Sequence, residues 1–403
     1  MNKSAFSSSL ACWLISNFLI LVILWSSLPD KSPSVEELFS NIRNFFVFQD
    51  QLYPYYHVIE QLEWISAFSH NESDLSIVKP PKIFYDGHLL YHVTESQGCR
   101  YKCNFTNYLY DLGVGDIAVF SEPFYAVDVE YLRQNGVLIA FESVESPVHM
   151  RELTQIQMQQ VDIFITYLPW SQVPYMYPMF LRKTNRGKKF TSSEVAALLA
   201  KNSTHLLPLN HRKRRKLIAW LVSNGSPKNN RDSFAYLISN FISVDVYGGM
   251  GRETPPGRDP LQWISEHYKF YLAFENSNCR YYITEKVTVN ALRNGMVPIV
   301  LGAYKEDYES VLPPYSYINV DDFKSISELV QYLLYLDRND TAYAEYFAWK
   351  EYGDIYIEKR LDCRLCGFMH HLNAGLVKLG NYSPSRFMDP WSLCFYRELL
   401  PLE

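Results

Sequence analysis

Side chains suited to binding an anion follow an apolar segment of this 403-residue sequence. The run FYLAFENS predicts a buried strand that presents Glu275 and Asn276 at its carboxyl edge, where open α/β sheets bind ligands. Downstream, TEK predicts a helix capped by Thr284, with Glu285 and Lys286 in its first turn. A helix N-terminus that carries a lysine favours an anion, whereas an ordinary capped helix with Lys286 in solvent is the alternative.

A second strand-to-helix segment, KLIAWLVSNGSPKNNRDSF, would supply the other half of such a site. Ser223 and Asn224 follow its predicted strand, and Arg231 begins the next helix. The planar fork of an arginine binds a diphosphate in a bidentate manner, although Arg231 taken alone is better explained as a surface charge. Together the two segments predict a site for a phosphorylated ligand.

Candidate general bases lie in the segment VLIAFESVESPVHM. A predicted strand ends near Ser143, with Glu142, Glu145 and His149 around its carboxyl edge. A carboxylate there has the chemistry of a general base. From the residues alone, a capping or solvent-exposed role explains Glu145 better, and we expect His149 to be structural.

Short apolar runs separated by helical stretches must position these side chains. KIFYDG, DIAVF, VLIAFES and DIFITYL come first, and KLIAWLVSN, VDVYGG, FYLAFENS, VPIVLG and SYINVDD follow a polar, basic stretch. This alternation predicts βα units in parallel sheets. We therefore predict an α/β fold of two Rossmann-like domains facing a cleft, at residues 77–205 and 206–345, with a helical tail at residues 346–403.

The N-terminus predicts the compartment. Residues 10–28 are uncharged over a length that just spans a bilayer core, so we predict a cytoplasmic tail at residues 1–9 and a stem at residues 29–76. The rest of the chain would then lie in the secretory lumen, and a cleaved signal peptide is the alternative. Helical apolar spacing in the stem suits packing on the body or a homodimer.

Sequons and cysteines favour the same compartment. Six cysteines follow the predicted anchor, an even number that suits an oxidising environment. Two close pairs have zinc-site spacing, but we favour disulfides that cross between the pairs, with the last two cysteines left over. The cysteines are Cys99, Cys103, Cys279, Cys363, Cys366 and Cys394, and the predicted N-glycosylation sites are Asn71, Asn104, Asn202, Asn339 and Asn381.

The overall charge argues against one class of partner. The formal net charge is −5, whereas nucleic-acid-binding domains present basic faces to phosphates. We therefore predict no nucleic-acid partner.

Residues 268–302 are similar to the signature region of the α1,3-fucosyltransferase family, which shares YKFxLxFENS, YxTEK, NAL and VPxVxG. The similarity extends through WLVSN, VDVYG, LPPYSYINVDDF and a CxxC motif, over about residues 82–370. It implies an inverting, GT-B-type transferase in the Golgi membrane, a single-pass type II protein. Its donor GDP-fucose would be held by the C-terminal domain, and its acceptor would be GlcNAc of an N-glycan or a glycolipid.

The resemblance also implies residue roles. The glutamate of the family's ESP motif, here Glu145, would be the base, and Glu142 is the nearest alternative. No Asp-x-Asp triplet occurs in the sequence, so we expect no essential metal, with manganese at most stimulatory. The donor site would comprise Ser223, Asn224, Arg231, Asn276, Tyr282, Glu285 and Lys286.

Three departures from the family pattern concern the acceptor side. Tyr281 stands where the family usually has an aspartate, RELTQIQMQQVDIF replaces an Asn-Trp and Ser-Tyr-Arg segment, and VTV after TEK lacks an aromatic residue. They predict an altered acceptor or reduced activity. Two alternatives stay open: a silent glycan-binding protein of the same fold, and a transferase that uses another nucleotide sugar.

Overall fold

The computed structural model describes residues 51–65, 79–86, 97–254, 258–357 and 360–403. The predicted tail and anchor, most of the stem, and Asn71 lie outside the described residues. Within the described ranges, no helix has both the length and the apolar character needed to cross a membrane. Tyr53–Glu403 form one compact unit.

The first half of the described chain forms a parallel sheet. Its order is β2-β1-β3-β4-β5, so the direction of winding reverses between β1 and β3. All four residues of β3, and all four of β5, are buried, as expected for strands covered on both faces. The strands are β1 Lys82–Tyr85, β2 Asn104–Thr106, β3 Ile117–Phe120, β4 Leu138–Ser143, β5 Ile163–Thr166 and, outside this sheet, β6 Phe180–Arg182.

The second half repeats this topology. Its parallel sheet has the order β8-β7-β9-β10-β11, which reverses between β7 and β9. All seven residues of β9 are buried. The strands are β7 Lys216–Leu221, β8 Val244–Tyr247, β9 Tyr268–Phe274, β10 Val297–Leu301, β11 Ile318–Asn319 and, outside this sheet, β12 Gly353–Ile355.

Helices connect the strands and form most of the C-terminal part. The α-helices are Tyr56–Gln61, Ala126–Gln134, Gln155–Gln159, Ser192–Leu199, Arg231–Ser239, Pro260–His267, Lys305–Val311, Ile326–Arg338, Asp340–Glu345, Leu361–Asn373, Ser385–Met388 and Pro390–Leu393. The 3-10 helices are Leu62–Trp64, Leu109–Asp111, Thr204–Leu206, His211–Lys213, Val320–Asp322 and Ala348–Glu351.

The α/β class and every strand expected in the two parallel sheets are confirmed, because buried parallel strands read as continuous apolar runs. The strand order in both sheets is 2-1-3-4-5, the flavodoxin-like variant of the doubly wound fold. The antiparallel pair of β6 with β12 was not expected. It joins the start of the basic connecting stretch to the C-terminal part.

Part of the segment assigned to the stem packs on the body. The helix Tyr56–Gln61 was expected from the apolar spacing, and Val58 within it is buried. Tyr55, just before this helix, is fully buried and donates a hydrogen bond to the Phe180 carbonyl at 2.9 Å. Residues 53–65 therefore contribute to the core.

The helix expected after TEK differs from the prediction. Lys286–Leu292 is a π-helix, and Thr284 makes no side-chain capping bond to it. The Thr284 hydroxyl instead donates to the Glu275 carboxylate at 2.9 Å. Val287, Thr288 and Val289 are β-branched, which weakens the preference of this segment for a regular α-helix.

Three disulfides cross-link distant segments of the chain. Cys99 pairs with Cys363 and Cys103 with Cys366, in the crossing pattern favoured above, and Cys279 pairs with Cys394. The first two bridges tie the helix Leu361–Asn373 to the segment before β2. The clusters of ligand-type atoms found among the described residues both contain these bonded sulfurs, so their cysteines are not thiolate ligands for zinc.

The two crossing bridges span 264 and 263 residues and therefore constrain nearly the same loop. Replacing Cys103 and Cys366 together by alanine should lower the free energy of unfolding by only about 2 kcal/mol, because the remaining bridge still closes the long loop. Replacing all four cysteines should cost about 7 kcal/mol, because it also opens the long loop. Denaturant titration followed by circular dichroism measures both.

The bridge between Cys279 and Cys394 is the matched control, since it closes a separate 115-residue loop. Its removal should cost about 4 kcal/mol or more by itself. Equal losses for one crossing bridge and for both would contradict this interpretation.

Candidate active site

A cavity of about 450 Å³ opens where the winding of the second sheet reverses, at the carboxyl ends of β7 and β9. Ligands of doubly wound sheets bind at this topological position, because the loops after the two strands diverge there. Six of the seven residues predicted for the donor site line this cavity: Ser223, Asn224, Arg231, Asn276, Glu285 and Lys286.

The inner end of the cavity is built around Glu275, whose side chain is fully buried. One carboxylate oxygen accepts from the Thr284 backbone N–H at 2.7 Å, and the other accepts from the Thr284 hydroxyl at 2.9 Å. Lys286 Nζ lies 3.0 Å from the second oxygen and donates to the Thr284 hydroxyl at 2.8 Å. The anion at the start of this helical segment is thus the protein's own Glu275.

Neighbouring charges decide the protonation of this cluster. Burial raises the pKa of Glu275, and the Lys286 ammonium partly offsets that effect. Burial disfavours the charged form of Lys286, but the carboxylates of Glu275 and Glu285 outweigh it and raise its pKa. Burial also opposes the charge of Glu285, whose pKa is nevertheless lowered by Lys286. Lys286 therefore stays cationic, with 19% of its side chain exposed.

Arg231 is buried and bonds to backbone carbonyls, whereas the sequence predicted either a ligand of the diphosphate or a surface charge. Its side chain is 1% exposed, and its terminal nitrogens donate to the carbonyls of Phe274 at 3.1 Å and Asn224 at 2.8 Å. These bonds fix the ends of the β9 and β7 segments on either side of the cavity. Within the part of the chain that the structure describes, Arg231 Nε has no hydrogen-bond partner.

Tyr282, the seventh predicted donor residue, is not among the residues that line this cavity. Its ring is buried, and its hydroxyl donates to Glu145 Oε2 at 2.9 Å, across to the first sheet. Burial together with the Glu145 carboxylate raises the pKa of Tyr282 well above its usual value. Glu145 itself is exposed and lies in the loop after β4, so its carboxylate is open to solvent.

Two further contacts hold the Glu145 loop against the second sheet. Ser146 Oγ lies 2.7 Å from Ser277 Oγ, and His149 Nε2 lies 3.4 Å from the Asn276 carbonyl oxygen. These contacts agree with the structural role expected for His149. Glu142, the alternative base, is 1% exposed and lies within β4, which separates it from solvent.

Sequence reasoning missed three contributors to the cavity. Glu275 was placed at the strand end, but its burial and its contact with Lys286 were not predicted. Asn290 lines the cavity and donates to the Tyr271 hydroxyl at 3.0 Å. Gly248 also lines it; a Cβ there would lie 2.7 Å from the Val222 carbonyl oxygen. The doubled glycine of VDVYGG was the available signal for this close approach.

This chain is similar to known fucosyltransferases. A family model described as glycosyltransferase family 10 (fucosyltransferase) C-term matches residues 211–378. The chain is similar to glycoprotein 3-alpha-L-fucosyltransferase A of Drosophila melanogaster, with 44% identity over 161 residues that cover 39% of this chain and 32% of that protein. It is also similar to alpha-(1,3)-fucosyltransferase 4 of Homo sapiens, with 41% identity over 157 residues that cover 38% and 30%.

These matches span about a third of the length of the curated relatives. Among solved structures, an alpha1,3-fucosyltransferase with GDP-fucose aligns with 80% of this chain and 98% of that chain, at 17% identity and a TM-score of 0.49.

Arg231 and Lys286 both line this cavity, but the terminal nitrogens of Arg231 donate to backbone carbonyls, so we expect Lys286 to bind a diphosphate. Replacing it by methionine should weaken GDP binding about 10- to 100-fold, the range expected for one charge-assisted hydrogen bond. Isothermal titration calorimetry with GDP measures the loss. Lys201→Met is the matched control, because Lys201 pairs with Glu351 away from the cavity. Equal GDP affinity in wild type and Lys286→Met would refute the assignment.

Proposed function

We propose that this chain transfers fucose from GDP-fucose to GlcNAc of a glycan in α1,3 linkage, with inversion, because its residues 211–378 match the model of glycosyltransferase family 10 (fucosyltransferase). One observation carries this proposal. The loop that joins Asn276 to Glu285, two residues that line the cavity, carries Tyr282, whose hydroxyl donates to the exposed carboxylate of Glu145. One short loop therefore makes contact with both a candidate leaving-group site and a candidate base.

The cavity would hold the donor with its diphosphate at Lys286. As the bond from fucose C1 to the diphosphate oxygen breaks, negative charge develops on GDP, and the ammonium stabilises that charge. The Asn276 amide would donate to or accept from hydroxyls of the donor, and the Glu285 carboxylate would accept from them. This arrangement needs no essential metal, and manganese would be at most stimulatory.

Glu145 would act as the general base. Its carboxylate takes the proton of the acceptor hydroxyl while that oxygen attacks fucose C1 from the face opposite GDP. The new bond forms as the old one breaks, so the configuration at C1 inverts. The hydroxyl of Tyr282 would orient the carboxylate by the 2.9 Å hydrogen bond.

We also propose that this domain works in the Golgi lumen, held by the N-terminal anchor. Three disulfides support an oxidising compartment. Three of the predicted glycosylation sites, Asn104, Asn202 and Asn381, are exposed. The fourth described sequon is at Asn339, whose side-chain nitrogen donates to the Tyr335 hydroxyl at 3.1 Å.

A transfer assay on a glycan array with GDP-fucose, with mass spectrometry to locate the added sugar, tests both the function and its base. Wild type should add fucose to O3 of a GlcNAc. Glu145→Gln keeps the side-chain size but removes the basic oxygen, and should reduce kcat about 100- to 10,000-fold while GDP affinity is retained.

Glu152→Gln is the matched control, because Glu152 is an exposed glutamate of the same region. Wild-type-like transfer by Glu145→Gln would refute the role of Glu145. GDP binding by the wild type without turnover on any glycan would favour the silent glycan-binding alternative, and turnover with a different nucleotide sugar would identify another donor.

A further inference from the structure

A second cavity, of about 370 Å³, is lined in part by Tyr281, which belongs to the loop that carries Tyr282. Trp170, Tyr281 and Tyr382 give it three aromatic walls, and His57 and Gln172 add polar groups. We call it the aromatic cavity. No lysine or arginine is among its described lining residues, although Arg280 and Arg386 lie over the rings of Tyr281 and Trp170, with Cζ 5.3 and 5.9 Å from the ring centroids. Burial lowers the pKa of His57, which favours its neutral form.

The aromatic walls are held in place. The rings of Trp170 and Tyr281 meet edge to face, with centroids 5.7 Å apart and an interplanar angle of 87°. Trp170 Nε1 donates to the Arg386 carbonyl at 3.1 Å. A ligand would therefore meet preorganised aromatic surfaces, which lowers the entropic cost of binding.

Tyr281 adopts a backbone conformation that few residues with a side chain adopt. Its φ is 57°, in the left-handed region, at a cost of about 1 kcal/mol or more. Its N–H donates to Asp307 at 2.9 Å, and Arg280 forms a 2.6 Å ion pair with the same carboxylate. These bonds turn the Tyr281 ring toward Trp170.

Two of the loops that line the aromatic cavity are linked to the proposed base, Glu145, through Tyr282. Tyr281 precedes Tyr282, whose hydroxyl bonds Glu145. The loop that carries Trp170 starts at Tyr167, whose ring packs edge to face on Tyr282 with centroids 5.0 Å apart. A molecule that fills this cavity therefore contacts the two loops that hold Tyr282, the hydrogen-bond partner of Glu145.

Flat aromatic faces with a few neutral hydrogen-bonding groups match the chemistry of a neutral pyranose ring, which has one face of C–H groups and a rim of hydroxyls. We propose that the aromatic cavity binds a sugar ring of the acceptor glycan, with Trp170 and Tyr281 as specificity-determining residues. This inference rests on the proposed function and names the acceptor side of the same site.

The test compares Trp170→Leu and Tyr281→Asn with wild type, because asparagine tolerates the left-handed conformation of position 281. The acceptor is a free biantennary N-glycan with exposed GlcNAc. Each variant should raise the KM for this glycan about 10-fold, while GDP affinity and the rate of GDP-fucose hydrolysis stay unchanged. Trp391→Leu is the matched control, since Trp391 is 93% exposed. An unchanged KM in both variants would overturn the inference.

Saturation-transfer NMR with the same glycan separates this inference from the proposed function. Glycan binding by wild type that is lost in Trp170→Leu and Tyr281→Asn supports the aromatic cavity even if no fucose is transferred. Transfer by wild type with binding unaffected in both variants would overturn the aromatic cavity and leave the fucosyltransferase function standing. If one variant loses GDP affinity and so fails the folding check, the other decides the outcome.

Discussion

The buried carboxylate of Glu275 is the constraint from which the geometry of the cavity beside Lys286 follows. A carboxylate taken out of water costs several kcal/mol unless hydrogen bonds and a counter-charge compensate it. Here Thr284 supplies two hydrogen bonds and Lys286 the positive charge, so the start of the π-helix is fixed to the end of β9. Gly302 makes the arrangement sterically possible, because a Cβ there would lie 2.7 Å from the Glu275 Cβ.

The loop between Glu275 and Thr284 extends this constraint to the first sheet. Cys279 anchors the loop to the C-terminal part by its disulfide, and Tyr282 reaches across to Glu145. Lys286 follows the end of this loop, and Tyr282 within the loop bonds to Glu145. One short segment therefore positions both the ammonium and the carboxylate. Buried polar groups at this loop leave few alternative conformations, which is the kind of preorganisation that stabilises charge developing in a reaction.

The sequence predicted the strands well, because buried parallel strands are continuous apolar runs and polar residues mark their carboxyl ends. For the same reason it located Asn224, Asn276 and Lys286 at one edge of the second sheet. It did not predict that Glu275 is buried, since a glutamate after a strand usually faces solvent. The partner of Tyr282, the partner of each cysteine within the crossing bridges and the β6–β12 pair depend on contacts between distant segments, which local patterns do not encode.

The most direct measurement is a crystal structure of the protein with GDP bound. We predict that β-phosphate oxygens lie within about 3 Å of Lys286 Nζ while Glu275 keeps its own contact with that nitrogen, because the carboxylate positions the ammonium in advance. GDP bound away from this cavity, or a Lys286 side chain that must leave Glu275 to reach the diphosphate, would contradict it.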